Sequence, residues 1–191
     1  MIGHLTATLE KIDIPADWIG IRATKEISTR RAMRDGHPQQ NERGLSQGAM
    51  VEVLAHGQFG YSATNQLTAD ALRIATQQAY QQALAASQWA IHRFTQAVRP
   101  AVKGSYISPY EQSLDTLGTQ EINDRLRQLC KQLKVSAKVV RTNAAARSHE
   151  IESWFVSTNG SEIYQKLMLL ESHMGAIAQS GSVNKASSEK C

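Results

Sequence analysis

The sequence has few of the features that stabilise small secreted domains or anchor proteins in membranes. It contains 2 cysteines in 191 residues, Cys130 and Cys191. They are too few for a disulfide framework and are typical of a reducing, cytoplasmic setting. Wholly apolar runs are short, as at Leu167 to Leu170, whereas a membrane-spanning helix needs about twenty apolar residues. The sequence therefore predicts no membrane span and no secretory signal.

The sequence also has only a small excess of positive over negative charge and few aromatic residues. There are 21 basic against 17 acidic residues, and aromatic residues make up 6% of the chain. Single-strand nucleic-acid binders combine a basic groove with aromatic stacking platforms. The best candidate for such a surface is a basic cluster interrupted by Glu26 and Asp35: Arg22, Lys25, Arg30, Arg31 and Arg34. A solvated strand face is the favoured interpretation, so nucleic acid is not an expected partner.

The segment Ser148 to Trp154, "SHEIESW", resembles the start of the zinc-protease motif H-E-x-x-H. That motif needs two histidines one helical turn apart, with the glutamate acting on metal-bound water. Ser153 stands where the second histidine is required. The residues alternate as in a strand, which places His149 and Glu150 on opposite faces. We predict neither a metal site nor a catalytic site here.

No other catalytic constellation is complete. The remaining histidines have no paired spacing and are interpreted as surface or turn residues: His4, His37, His56, His92 and His173. Cys130 lies on the apolar face of a predicted helix, between Leu126 and Leu133, and is expected to be a buried, inert thiol. The glycines form neither G-x-x-x-x-G-K-[ST] nor G-x-G-x-x-G, so a nucleotide loop is not expected. Catalytic and metal residues are predicted to be absent, and no substrate-contact residue is assigned.

Period-2 patterns predict strands in both halves of the chain. The first runs from Trp18 to Arg34 and turns at Asp35-Gly36. A polar strand, a probable bend at Gly44 and Gly48, and two strands joined at His56-Gly57 complete a meander of about four antiparallel strands. Three more strands are predicted over 135–147, 150–157 and 161–174, the last two joined at Asn159-Gly160.

Helical periods predict two main helices packed on this sheet. One is capped by Thr68 and is rich in alanine through Ala86, and the other is capped by Thr119 and extends to Leu133. Pro100 and "VKGSYISPY" indicate an irregular connector, and "AQSGSVNKASSEKC" has no period. The fold class is therefore α+β, with an antiparallel or mixed sheet built from two strand groups. We expect a domain over 1–178 and a polar tail or linker over 179–191.

The stretch from Arg34 to Ala79 resembles the N-terminal domain of the TldD/PmbA family, once called modulators of DNA gyrase. The resemblance rests on the Gly48–Val53 and Phe59–Ala63 strand patterns and on the following alanine-rich helix. "GSYISPYEQSLDTLGTQEINDRLRQLCKQL" and "STNGSEI" are similar to a later family segment and lean slightly toward the TldD branch. The resemblance covers most of residues 15 to 175.

The resemblance implies a two-domain zinc peptidase acting on unfolded peptides. Its H-E-x-x-x-H motif and later cysteine belong to a C-terminal domain that this sequence does not contain, so zinc is implied only there. The present chain would be a non-catalytic N-terminal domain that helps enclose the active-site chamber and forms a homodimer or a heterodimer with a paralogue. Peptide contacts would be sought on the wet face near Arg22 and Arg30. The alternative is a free-standing interaction module that binds nucleic acid through the basic strand face.

Overall fold

A computed structural model describes residues 1–110 and 118–190 and confirms the α+β class. The described residues form three helices, α1 (Ile2–Leu9), α2 (Ala69–Ser87) and α3 (Thr119–Leu133), and a short 3-10 helix at Gln96–Val98. The strands are β1 (Trp18–Arg34), β2 (His37–Ala55), β3 (Gln58–Thr64), β4 (Lys103–Ile107), β5 (Val139–Ser157), β6 (Glu162–Ser180) and β7 (Val183–Lys190). In the described ranges, no helix combines the length and apolarity that crossing a membrane requires.

The strands form one mixed sheet in the order β3-β2-β1-β5-β6-β4, with β7 pairing β6. The pairs β2–β3 and β6–β7 are antiparallel, whereas β4 runs parallel to β6. The chain divides into two compact units, neither of which is continuous in sequence. The first contains Met1–Glu26, Ser46–Ile107 and Ile151–Lys166, and the second contains Ile27–Leu45, Ser108–Glu150 and Leu167–Cys191.

The first unit has an apolar core between its part of the sheet and the helices α1 and α2. Alternate residues of β1 and β2, including Ile21 and Val53, are fully buried. The alanine-rich face of α2 packs on β3, where Gly60 lies against the backbone of Ala79 and Ala83. Thr68 caps α2 as predicted, with its Oγ1 accepting a hydrogen bond from the Ala71 amide.

The second unit has a smaller core beneath α3. Met33, Leu126, Cys130 and Ala144 are buried there together. The predicted apolar stripe of α3 is confirmed. However, Gly118 is the N-cap residue and Thr119 is the first helical residue, so the predicted Thr119 cap is wrong. The Thr119 hydroxyl instead accepts a hydrogen bond from Arg31.

Two hairpin turns form where the sequence predicted them. At Asp35-Gly36 and His56-Gly57 both central residues have positive φ, as a two-residue type I′ turn requires. The Asp35 carboxylate also accepts a hydrogen bond from the Thr142 amide at 2.7 Å. Asn159 and Gly160 lie in the connection between β5 and β6, again as predicted.

Several predicted strand boundaries are wrong because tertiary pairing carries the strands through positions that resemble breaks. β2 continues through Gly44 and Gly48 without positive φ. The hydrogen of Gly48 lets the Thr64 carbonyl oxygen approach to 2.9 Å of where a Cβ would lie. Likewise, β5 runs unbroken from Val139 to Ser157 where two strands were predicted.

Other segments are more ordered than their composition predicted. The expected connector "VKGSYISPY" contains strand β4, and α1 was not predicted. The expected polar tail contains β7, which pairs with β6 across Gly181-Ser182. Gly181 has a φ of 59°, the conformation that the first central position of a type II′ turn demands of glycine. The domain boundary after residue 178 stays a prediction.

Candidate functional site

The "SHEIESW" segment lies inside strand β5, which confirms its interpretation as a strand. Trp154 packs against the first unit's core and stacks on Tyr164, with ring centroids 6.0 Å apart. The Trp154 side chain of this strand therefore serves in packing. Within residues 1–110 and 118–190, no three of the histidine, cysteine, aspartate and glutamate side chains are grouped so that they could hold a metal ion.

The other histidines have ordinary surface roles. The His4 ring shares a hydrogen bond with the Leu67 carbonyl oxygen at 2.7 Å. The His92 ring contacts Phe94 edge-on, and His56 occupies its turn. His37 and His173 are exposed. These positions support the surface and turn interpretation.

Of the two cysteines, the structure describes Cys130. Cys130 is buried under α3 as expected, with its Sγ 3.9 Å from the Met33 carbonyl oxygen. Cys191 lies outside the described residues.

The basic cluster on β1 does not form one exposed surface. Arg31 is buried and donates hydrogen bonds to Asn41 Oδ1 at 2.6 Å and Thr119 Oγ1 at 2.9 Å. Arg30 is exposed, and because neighbouring side chains on a strand alternate, it lies on the face opposite Arg31. Arg22 lies over the Phe155 ring at 5.6 Å. Arg31 is therefore not exposed on the basic strand face that the nucleic-acid alternative requires.

The two edge strands of the first unit differ in how their open edges are protected. Exposed edges offer unpaired backbone groups to another extended chain. At β3 the edge is occupied by side chains of α2. The Tyr61 amide donates to Gln82 Oε1 at 3.3 Å, and the Ser62 hydroxyl donates to Gln78 Oε1 at 2.8 Å. The edge of β3 is thus partly satisfied within the unit.

Strand β4 has an open edge. Its inner side pairs with β6, and the pairing begins where the Val102 carbonyl oxygen accepts from the Glu162 amide at 3.0 Å. Backbone groups alternate sides along a strand, so those of Lys103, Ser105 and Ile107 point to the open edge. All five residues of β4 are exposed, and no described residue pairs with this edge. We define this surface, Lys103–Ile107, as the β4 edge.

A polar network anchors the start of β4. The Asn159 amide nitrogen donates to the Arg99 carbonyl oxygen at 2.7 Å, and the Val102 amide donates to Ser161 Oγ at 3.1 Å. Asn159 Oδ1 accepts from the Trp18 indole at 3.0 Å and from the Ser157 hydroxyl at 2.5 Å. The loop between β5 and β6 therefore holds the chain that leads into β4.

An ion pair and aromatic rings hold Arg99 itself. Its guanidinium forms a two-pronged pair with Glu52 at 2.5 and 3.2 Å and lies 4.7 Å from the Phe59 ring centroid. Hydrogen bonding to Glu52 raises the pKa of Arg99. Burial, and then the neighbouring Glu52 carboxylate, raise the pKa of Tyr61. Both shifts favour a charged Arg99 beside a neutral Tyr61, as an anchoring cluster requires.

The β4 edge was missed because the residues that pair with it and anchor it are distant from it in sequence. Arg99 lies in what was predicted to be an irregular connector, and Asn159 was recognised only as a turn residue. One local signal was present, since Tyr106 and Ile107 favour strands and Pro109 ends the run. A five-residue strand whose partner strand lies far away in the sequence cannot be recognised as an edge strand from the local sequence alone.

Comparison with known proteins assigns this architecture. Residues 20–83 match the family model described as PmbA/TldA metallopeptidase domain 1. This stretch of the chain is similar to the first domain of the TldD/PmbA family. The predicted resemblance to a TldD/PmbA N-terminal domain is thus confirmed, while the predicted lean toward the TldD branch stays a prediction. A search of curated protein sequences gave no match.

Solved structures share the fold of this chain at low sequence identity. TldE from Thermococcus kodakarensis is 10% identical with a TM-score of 0.69, over 98% of this chain and 42% of its own. A candidate modulator of DNA gyrase from Bacteroides thetaiotaomicron is 11% identical with a TM-score of 0.71, over 98% and 44%. Another, from Thermotoga maritima, is 15% identical with a TM-score of 0.67, over 91% and 38%. The chain therefore spans less than half the length of these structures.

Proposed function

We propose that this chain forms the non-catalytic N-terminal domain of a zinc metallopeptidase that acts on unfolded peptides in the cytoplasm. It would help to enclose the active-site chamber and would pair with a second copy or with a paralogue. The match to a metallopeptidase domain supports this role. The described residues offer no group of three or more metal ligands, so no step of the reaction is assigned to them, and zinc would be held by another domain.

The β4 edge is the observation that carries the peptide-binding part of the proposal. An extended peptide can add to an exposed strand through main-chain hydrogen bonds, with neighbouring side chains supplying specificity. Such binding depends little on the peptide's sequence, because the hydrogen bonds are made by the main chain. It cannot engage a folded segment whose backbone is already paired. Tyr106 and Ile107, each about half exposed, offer apolar contacts to a docked strand. The polar network around Asn159 keeps this edge in place before the peptide arrives.

The test is binding of a short, fluorescently labelled peptide rich in Thr and Val to the whole chain, followed by anisotropy. The informative variant is Ser105→Pro, because Ser105 lies on the outward-pointing positions of β4. Proline removes its outward N–H donor while sparing the bonds to β6. We expect a loss of about tenfold in affinity, in line with one missing hydrogen bond and the proline ring in the way.

The matched control is Ser105→Thr, which keeps the N–H and the strand preference and should bind as the wild type does. A second probe carries an N-methyl group at every residue, and it should fail to bind because neither of its edges keeps a backbone N–H donor. Equal affinity for the methylated and unmethylated peptides would contradict strand addition at the β4 edge. Light scattering on the same samples separates peptide binding from pairing of two β4 edges, which would double the mass.

A further inference from the structure

The second unit contains a cavity that the peptide-docking surface does not use. Its volume is about 380 Å³, and it lies beside α3 and the sheet. Part of its wall is apolar, formed by Ile122, Leu126 and Ala146. The same cavity is also lined by Arg31, Arg43 and Arg125. An apolar wall with a few convergent polar groups is the usual build of a small-ligand site.

Arg31 is the unusual member of this lining. It is 9% exposed, and although its two terminal nitrogens are hydrogen-bonded to Asn41 and Thr119, its Nε has no hydrogen-bond partner within residues 1–110 and 118–190. Among the described residues it has no carboxylate partner either, since both bonds go to neutral oxygens. A buried cation without a counter-charge and with an unpaired donor is costly. Such a group is best explained by a ligand that supplies an acceptor.

The remaining polar groups of the cavity favour an anion of low charge. Arg125 is paired with Glu121 at 2.7 Å, and Glu150 also lines the cavity. Counting the described residues alone, these three arginines, Arg31, Arg43 and Arg125, exceed the two carboxylates by one positive charge. The first turn of α3 starts at Thr119 and has no side-chain cap, so its N–H dipoles add to the positive potential. One excess positive charge matches a single carboxylate better than a doubly charged phosphate.

We propose that this cavity binds an organic carboxylate carried on an apolar group, with the carboxylate at Arg31 and the apolar part against the wall at Leu126 and Ala146. Two sources supply that chemistry: a free apolar acid and the C-terminal end of a peptide. This carboxylate site lies within the second unit and does not depend on the peptidase role. Either proposal can therefore fail while the other holds.

The test measures binding of four probes to the whole chain by calorimetry: acetyl-leucine, acetyl-Ala-Ala-Leu with a free carboxylate, the same tripeptide as its amide, and inorganic phosphate. Both carboxylates should bind, and the amide should bind at least about tenfold more weakly, because a charge-assisted bond is lost. A tripeptide acid that binds more tightly than acetyl-leucine identifies peptide ends as the source, whereas equal binding identifies free acids. An amide that binds as tightly as the acid, phosphate that binds more tightly, or no binding at all would overturn the proposal.

Variants locate the site. Arg43→Gln keeps the buried hydrogen bonds of Arg31 and should weaken the acid tripeptide severalfold, while Arg31→Met should abolish binding if the protein folds. The matched control is Arg147→Gln, because Arg147 is exposed and lies on β5 between Ala146 and Ser148, on the opposite face. It should bind as the wild type does. Equal losses in Arg43→Gln and Arg147→Gln would show unspecific charge attraction and would sink the proposal.

Discussion

Replacing Gly60 by alanine tests how closely α2 packs on the sheet. Gly60 lies in β3 opposite Val53 of β2. A Cβ built on it would meet the Ala79 carbonyl oxygen at 1.9 Å and the Ala83 nitrogen at 2.6 Å. Real Cβ atoms do not come within 3.0 Å of such neighbours, so the helix backbone has to retreat by about 1 Å.

The cost follows from what moves with the helix. Both obstructing atoms belong to backbone, so no side-chain rotation relieves the clash. A shift of α2 also loosens the contacts of Leu72, Ala75 and Ala83, which are buried against the sheet. Overpacking of a core costs about 1–3 kcal/mol, and we expect the upper end, about 3 kcal/mol, in the free energy of unfolding. With a slope of about 2 kcal/mol per molar urea, the midpoint should fall by about 1.5 M.

Urea unfolding followed by circular dichroism measures this loss, with Gly104→Ala as the matched control. Gly104 is also a strand glycine, but a Cβ there has nothing within 4 Å. Its replacement should leave stability unchanged or raise it by up to about 1 kcal/mol, because alanine loses less backbone entropy on folding. Equal midpoints for the two variants would refute the close approach of α2 to β3.

Two further predictions concern titration and metal. The raised pKa of Tyr61 means that the folded state holds this proton more tightly than the unfolded chain, whose tyrosine titrates near 10.0; stability is therefore unaffected below that pH and falls as pH rises through the folded-state pKa. Melting temperatures measured from pH 9 upward should show this fall, Tyr61→Phe should reduce it, and an unchanged alkaline profile in the variant would contradict the shift. The purified chain should carry no stoichiometric zinc, and elemental analysis that finds one zinc per chain would refute the interpretation of its histidines.

Local signals in the sequence were sufficient for the hairpin turns, the two longer helices α2 and α3, and the buried thiol. Asp35-Gly36 and His56-Gly57 form hairpins because few residue pairs tolerate positive φ at both central positions. Helix α2 follows from its Thr68 cap and its alanine period, and Cys130 is buried because it lies on the apolar stripe of α3. Each of these features is set by interactions within a few residues or by one helical face.

Only the tertiary structure decided where the strands end and which polar groups are left for a ligand. Gly44 and Gly48 stay extended because β2 pairs with a neighbouring strand of the sheet, which outweighs the weak local preference of glycine. The β4 edge exists because β6 pairs with one side of a five-residue strand and no described strand pairs with the other. Arg31 is indistinguishable from its neighbour Arg30 in sequence. The alternation of β1 buries one against Asn41 and Thr119 and exposes the other to water, because the partners that satisfy a buried guanidinium lie far away along the chain.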